Sequence, residues 1–121
     1  MHTGEQVPSI ASGSSVSDAL LEMTRKGLGL TAVVDREHRL LGVFTDGDLR
    51  RTLDDAEVDL RGTTVDALMT TRAKTITPDK LAVEAARLME DFKIHALLVV
   101  ETDGTLVGAL NIHDLLRARV V

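Results

Sequence analysis

The chain of 121 residues contains no cysteine, tryptophan or tyrosine, and only two phenylalanines and two prolines. Each shortage closes off a class of chemistry. Without thiols there is no disulfide, no cysteine nucleophile and no thiolate metal site, which suits the reducing cytoplasm where the chain is expected to work. Without aromatic platforms, nucleic-acid bases have nothing to stack on. Positive charge is also short: 14 Lys and Arg against 19 Asp and Glu give a net charge of −5. That balance does not suit a phosphate backbone, which needs Lys and Arg gathered on one face. No apolar run approaches the roughly 18 residues of a membrane span. The opening Met1-His2-Thr3-Gly4-Glu5-Gln6 lacks the basic and apolar regions of a signal peptide. The expected partners are therefore neither nucleic acid nor membrane.

What the chain does have is a repeat. Residues 15–51 align with residues 81–117 without a gap, at an offset of 66, with nine identities in 37 pairs. Ordinary residue frequencies would give roughly two or three. The identities include Ala19/Ala85, Met23/Met89, Val33/Val99, Gly42/Gly108, Asp48/Asp114 and Arg51/Arg117. Two similar units usually pack face to face, because neither buries its apolar side alone, and clefts form at the shared boundary. The apolar fraction of 44% is nearly all aliphatic and supplies the core of one compact domain.

Periodicity places the elements. Val16, Ala19, Leu20 and Met23 form a helical stripe, with Ser15 and Asp18 as a capping box and Gly27 and Gly29 as its stop. Strands are expected over Thr31 to Asp35 and Leu40 to Phe44, then a short helix from Asp46 to Leu53. The second half repeats this. Ala82, Ala85, Ala86, Met89 and Phe92 mark a helix, followed by strands at Ala96 to Val100 and Leu106 to Leu110 and a helix from Ile112 to about Arg119. Asp103-Gly104 is a hairpin turn. Extended pieces, Val7 to Ala11 and Lys74 to Thr77, precede the main helices, and a short helix is expected at Val65 to Met69. The fold class is α/β (α+β): two three-stranded sheets with helices on one side, the first unit over residues 1–57 and the second over 58–121.

The local pattern with most chemistry follows the last strand of each unit. Thr45 is followed three residues later by Asp48, and Asn111 by Asp114. Two readings stay open on spacing alone. In one, the Thr or Asn accepts from free helix N–H groups while the Asp points back, a capping box. In the other, the carboxylate accepts from two ribose hydroxyls while the helix start attracts a phosphate.

The doubled Gly-apolar-apolar-Thr-x-x-Asp pattern and the helix Asp18-Ala19-Leu20-Leu21-Glu22-Met23 resemble a pair of cystathionine-β-synthase (CBS) motifs, a Bateman module. Phe44-Thr45-Asp46-Gly47-Asp48-Leu49-Arg50-Arg51 and Gly108-Ala109-Leu110-Asn111-Ile112-His113-Asp114-Leu115-Leu116-Arg117 further resemble the C-terminal region of arabinose 5-phosphate isomerases. Those enzymes carry a sugar-isomerase (SIS) domain ahead of a CBS pair and feed the synthesis of Kdo, a lipopolysaccharide sugar. The resemblance implies a detached regulatory half, with the SIS catalytic domain as its partner in a parent isomerase and flat homodimers as its assembly. It implies a ligand between the motifs at Thr45, Asp48, Leu30, Thr31 and Ala32, and at Asn111, Asp114, His95, Ala96 and Leu97. The extended pieces add Ser9, Ile10, Thr75 and Ile76. No cofactor is required; the effector is an anionic small molecule, an adenine nucleotide or a nucleotide sugar such as CMP-Kdo.

The two clefts differ. Asp46 and Asp48 together repel a phosphate, whereas Ile112 and His113 leave Asp114 as the single carboxylate of the second helix start. Anionic groups are therefore expected at the second, with His113 among its ligand residues. No second His stands at metal-ligand spacing from His113, and no metal site is expected. His2 and His38 read as exposed, and Arg50, Arg51, Arg117 and Arg119 as partners of helix C-termini. No catalytic constellation is present, so the chain reads as a binding module rather than an enzyme. The alternative is an oligomerisation module with empty clefts.

Overall fold

The repeat folds as two copies of one plan, strand, helix, strand, strand, with a short helix after the first copy. The computed structural model describes residues 7–27, 29–55, 58–80, 82–92, 94 and 96–111. In chain order these form β1 (Ser9–Ala11), α1 (Val16–Lys26), β2 (Leu30–Val34), β3 (Leu40–Thr45) and α2 (Asp46–Leu53). A 3-10 turn (Val65–Ala67) follows, then β4 (Thr75–Ile76), α3 (Ala82–Asp91), β5 (Ala96–Val100) and β6 (Leu106–Asn111). The helix expected from Ile112 lies outside the described residues, as do His2, Arg117 and Arg119.

Each sheet has three strands, in the orders β1-β2-β3 and β4-β5-β6. The first pair is parallel, joined by a helical crossover, and the second antiparallel. Even the irregularities repeat. The register shifts between Val33 and Val34, and again between Val99 and Val100, 66 residues on. Strand β2 ends one residue before the expected Asp35. That carboxylate instead accepts the N–H groups of Glu37 and Arg39, both at 2.9 Å, and turns the chain.

Helix α1 starts where Ser15 accepts the Asp18 N–H at 3.1 Å and stops at Gly27, whose φ of 69° closes the last turn. Its buried Val16, Ala19 and Met23 pack with Val33, Phe44 and Val65. In the second unit, Ala85, Ala86 and Met89 of α3 pack with Ile76, Leu97 and Val99. Alternate residues of a strand face opposite ways, so Ala32 and Val34 point inward. They meet Leu98, Leu106 and Ala109 of the other sheet. The layers therefore run helix, sheet, sheet, helix, with the sheets face to face.

An approximate two-fold axis passes between the two hairpin turns. Leu40 N–H donates to the Gly104 carbonyl and Leu106 N–H to the His38 carbonyl, both at 2.9 Å. These partners exchange roles under the 66-residue offset. His38 is exposed, as expected, and holds a φ of 64° where Gly104 has 94°. The left-handed conformation costs a side-chain-bearing residue about 1–2 kcal/mol, less about 0.4–1 kcal/mol for glycine's greater freedom when unfolded. His38→Gly is thus expected to stabilise the chain by about 0.5–1 kcal/mol, read as a higher urea midpoint.

The connection between units is tied to the start of α1. Val16 and Ser17 donate their N–H groups to the carbonyls of Thr63 and Leu60 at 3.0 and 2.9 Å, satisfying donors the helix itself leaves free. Asp66 accepts from the Ser12 hydroxyl and, at 2.7 Å, from Gly13 N–H. Those bonds, the hydroxyl first, hold its carboxyl below the usual value. The helix expected over Val65 to Met69 is only the 3-10 turn, because Thr70 is already drawn out into a bridge with Val43.

Candidate functional site: the cleft between the repeats

Thr45 leaves β3 in an extended conformation and caps α2. Its hydroxyl accepts the Asp48 N–H at 3.2 Å, while the Asp48 carboxylate accepts the Thr45 N–H at 2.9 Å. Both halves of a capping box are present. The carboxylate has three further donors: the Thr45 hydroxyl at 3.1 Å, the Thr70 hydroxyl at 3.0 Å, and the Arg51 guanidinium. Four donors meet the roughly four lone-pair sites of a carboxylate. Asp48 is 4% exposed.

Thr70 comes from the connection, 22 residues away. Val43 and Thr70 exchange N–H···O bonds of 2.9 and 2.8 Å, which lays the connection along β3. The next residue inward, Gly42, is buried beneath Met69 and Thr70. Beyond Thr70 the chain runs between the two units toward β4, carrying Arg72, Ala73 and Lys74.

There it borders a cavity of about 210 Å³ lined by Leu30, Val43, Thr45, Thr70, Arg72, Ala73, Lys74, Ile94, Ala96 and Leu98. The floor is the inter-sheet core, since Leu30, Val43 and Leu98 belong to it. The polar groups are two threonine side chains and two cations. Among the described residues no carboxylate lines this cavity. Lys74 Nζ sits 4.2 Å from the centre of the Phe92 ring, a cation–π contact that holds the ammonium in place. Arg72 is exposed and has no ion-pair partner among the described residues. Asp48 borders a different hollow of about 220 Å³, with Arg51, Thr52, Asp55, Val58, Ala67 and Leu68.

Of the residues nominated from sequence, the structure brings Leu30, Thr45 and Ala96 together around the cavity. Thr31 and Ala32 are fully buried in β2, and Leu97 and Ile76 lie under α3. Ile10 packs on the α1 side. Ser9 and Thr75 are half-buried strand residues paired with Ala32 and Leu98. Asn111 ends β6 opposite Ala96. His95, His113 and Asp114 lie outside the described residues. Among the described residues, no group of three or more His, Cys, Asp or Glu side chains could hold a metal ion.

Sequence reasoning missed Thr70, Arg72, Lys74 and Phe92. A signal existed: at the 66-residue offset, Arg72 and Lys74 stand opposite Gln6 and Pro8. The start of the second extended piece and the residues just before it thus carry two cations that the matching positions of the first lack.

The family model of the CBS domain matches residues 1–55 and 65–121. The arabinose 5-phosphate isomerase KdsD of Pseudomonas aeruginosa is 54% identical over all 121 residues, and that of Yersinia pestis 47%. The match covers 37% and 36% of those proteins, so the chain spans little more than a third of the length of the curated relatives it matches. Among solved structures, CBSX2 in complex with AMP is 28% identical with a TM-score of 0.82, covering 99% of this chain and 92% of that one. The cytosolic domain of the Mg²⁺ channel MgtE in complex with ATP is also 28% identical, with a TM-score of 0.77, covering 97% of this chain and 46% of that one. Two matched units, two sheets related by an approximate two-fold axis and a cleft between them agree: the chain belongs to the CBS domain family, as a tandem pair.

Proposed function

We propose that this CBS pair is the regulatory, ligand-sensing part of an arabinose 5-phosphate isomerase, and that its signal is a nucleotide or nucleotide sugar. The observation that carries the reading is the cleft itself, apolar at its floor with Arg72 and Lys74 at its edge. Drug-sized ligands usually occupy about 300–1,000 Å³. A cavity of about 210 Å³ takes the apolar face of a base and leaves phosphate outside, beside the cations. The identities to KdsD support the parent activity, the interconversion of ribulose and arabinose 5-phosphates, which falls to a preceding SIS domain. The AMP and ATP complexes of structural relatives support the ligand class. CMP-Kdo, an end product of the route, adds a carboxylate that a second cation can meet. Ligand that prefers one arrangement of the two units shifts the catalytic domain by the usual coupling of about 1–3 kcal/mol.

Calorimetric titration with AMP, ATP and CMP-Kdo tests this. Ala96→Leu is the control: the first unit already has Leu30 at the matching position, so the fold tolerates leucine there while the cavity fills. Saturable binding of one ligand, weakened about tenfold or more by Ala96→Leu, is expected, a loss of about 1.4 kcal/mol or more. No heat from any of the three would sink the sensor reading.

The second reading, a homodimerisation module, is supported by Leu21 of α1 and Leu53 of α2, each 62% exposed. Native mass spectrometry of the chain with and without nucleotide separates the two readings.

A further inference from the structure

We infer that Met69 is a peroxide-sensitive modification site, and that oxidation of its thioether loosens the hold of the connection on β3. With no cysteine, the chain carries its sulfur on four methionines. Met23 and Met89, a matched pair of the repeat, are 6% and 2% exposed and packed into the cores beneath α1 and α3. Met69 is half-buried, so among the described methionines it is the one that solvent reaches. The position 66 residues earlier is Thr3, so this sulfur has no counterpart in the repeat.

Its place ties the connection to the sheet. Met69 packs on the core under α1, and its Sδ and Cγ lie 2.6 and 3.0 Å from where a β-carbon of Gly42 would stand, in the slot that glycine leaves open. Backbone on either side is held: Met69 N–H donates to the Val65 carbonyl at 2.9 Å, and Thr70 exchanges two bonds with Val43. The Thr70 hydroxyl then reaches Asp48. Oxidation is a two-electron oxygen transfer. A sulfur lone pair attacks one oxygen of hydrogen peroxide and the O–O bond breaks. The transferred oxygen gives its proton to the departing hydroxide, which leaves as water, so sulfur is oxidised and peroxide reduced. The sulfoxide is polar, and burying a polar group without a hydrogen bond is unfavourable. It therefore turns out to water, uncovers Gly42 and removes the packing behind the Val43–Thr70 bridge. Enzymatic reduction of the sulfoxide reverses the change.

The test treats the 121-residue chain with hydrogen peroxide and follows oxygen uptake at each methionine by mass spectrometry of its peptides. Met69 is expected to oxidise at least about tenfold faster than Met23 or Met89, because susceptibility follows exposure. In the oxidised chain the Val43 and Thr70 amides should exchange about fivefold faster, while Val99, in the other sheet, keeps its rate. Methionine sulfoxide reductases, one for each epimer, should return both amides to their starting rates. Met69→Leu keeps the apolar contact without the sulfur, so it should fold with a similar urea midpoint and leave both amides unmoved by peroxide. Equal oxidation of Met23, Met69 and Met89 overturns the inference. So does full oxidation of Met69 with unchanged exchange at Val43 and Thr70, or a Met69→Leu variant whose two amides still respond to peroxide.

Discussion

Asp48→Ala is expected to destabilise the chain by about 2 kcal/mol, about 1 for each of two partly buried donors left without an acceptor, while the Thr45 hydroxyl goes on capping α2. Those donors are the Thr45 N–H and the Thr70 hydroxyl. The Arg51 pair adds little, because its guanidinium side chain is 71% exposed and solvent screens it. At about 4 °C per kcal/mol for a domain of this size, the melting temperature should fall by about 8 °C. Thr70→Val alone should cost about 1 kcal/mol, and in the double variant the costs should fall short of their sum by a similar amount. Full additivity would mean that the two side chains do not support each other, and the Asp48–Thr70 bond would carry no stability. A loss under about 0.5 kcal/mol for Asp48→Ala would place it with ordinary surface substitutions.

Asp48 also marks where the sequence stops being legible. The interval from Thr45 to Asp48 is local, and spacing alone offers a capping box or a ribose acceptor. The hydroxyl that loads the carboxylate belongs to Thr70, far along the chain, and no periodicity points to it. Legibility elsewhere follows the same division. Helix α2 has the bounds read from sequence, Asp46 to Leu53, because its cap and length are set by neighbouring residues. The order of elements along each unit was readable because the 66-residue offset repeats the same apolar pattern, whereas the order of strands within each sheet and the repeated register shift come from the structure. What depended on distant contacts was missed: the shortening of the Val65 helix by the Thr70 bridge, and the position of Arg72 and Lys74 on the cleft. The expectation of anionic preference at the second helix start concerns Ile112, His113 and Asp114, outside the described residues.

Gly42→Ala is expected to cost about 1–3 kcal/mol, the usual range for overpacking a filled site, and to weaken nucleotide binding from outside the cavity. A β-carbon at Gly42 would lie 2.6 Å from Met69 Sδ, 3.0 Å from Met69 Cγ and 2.9 Å from the Thr70 carbonyl oxygen. The thioether can swing aside, since methionine is flexible. The carbonyl cannot, because it accepts the Val43 N–H at 2.9 Å and moves only if that bridge opens. Opening it shifts Thr70 away from Asp48 and carries Arg72 and Lys74 with it, so one methyl group disturbs the Thr70–Asp48 bond and the cations of the cleft together. The variant should therefore show faster exchange of the Val43 and Thr70 amides, a lower urea midpoint and a several-fold weaker response to AMP. Its counterpart in the repeat, Gly108, is also buried, and Gly42/Gly108 is one of the identities that first revealed the tandem. The reason for glycine at Gly42 is thus a backbone crossing rather than a turn. If Gly42→Ala left both the Val43 amide and AMP affinity unchanged, the connection would not be tied to β3 tightly enough to carry a signal between the units.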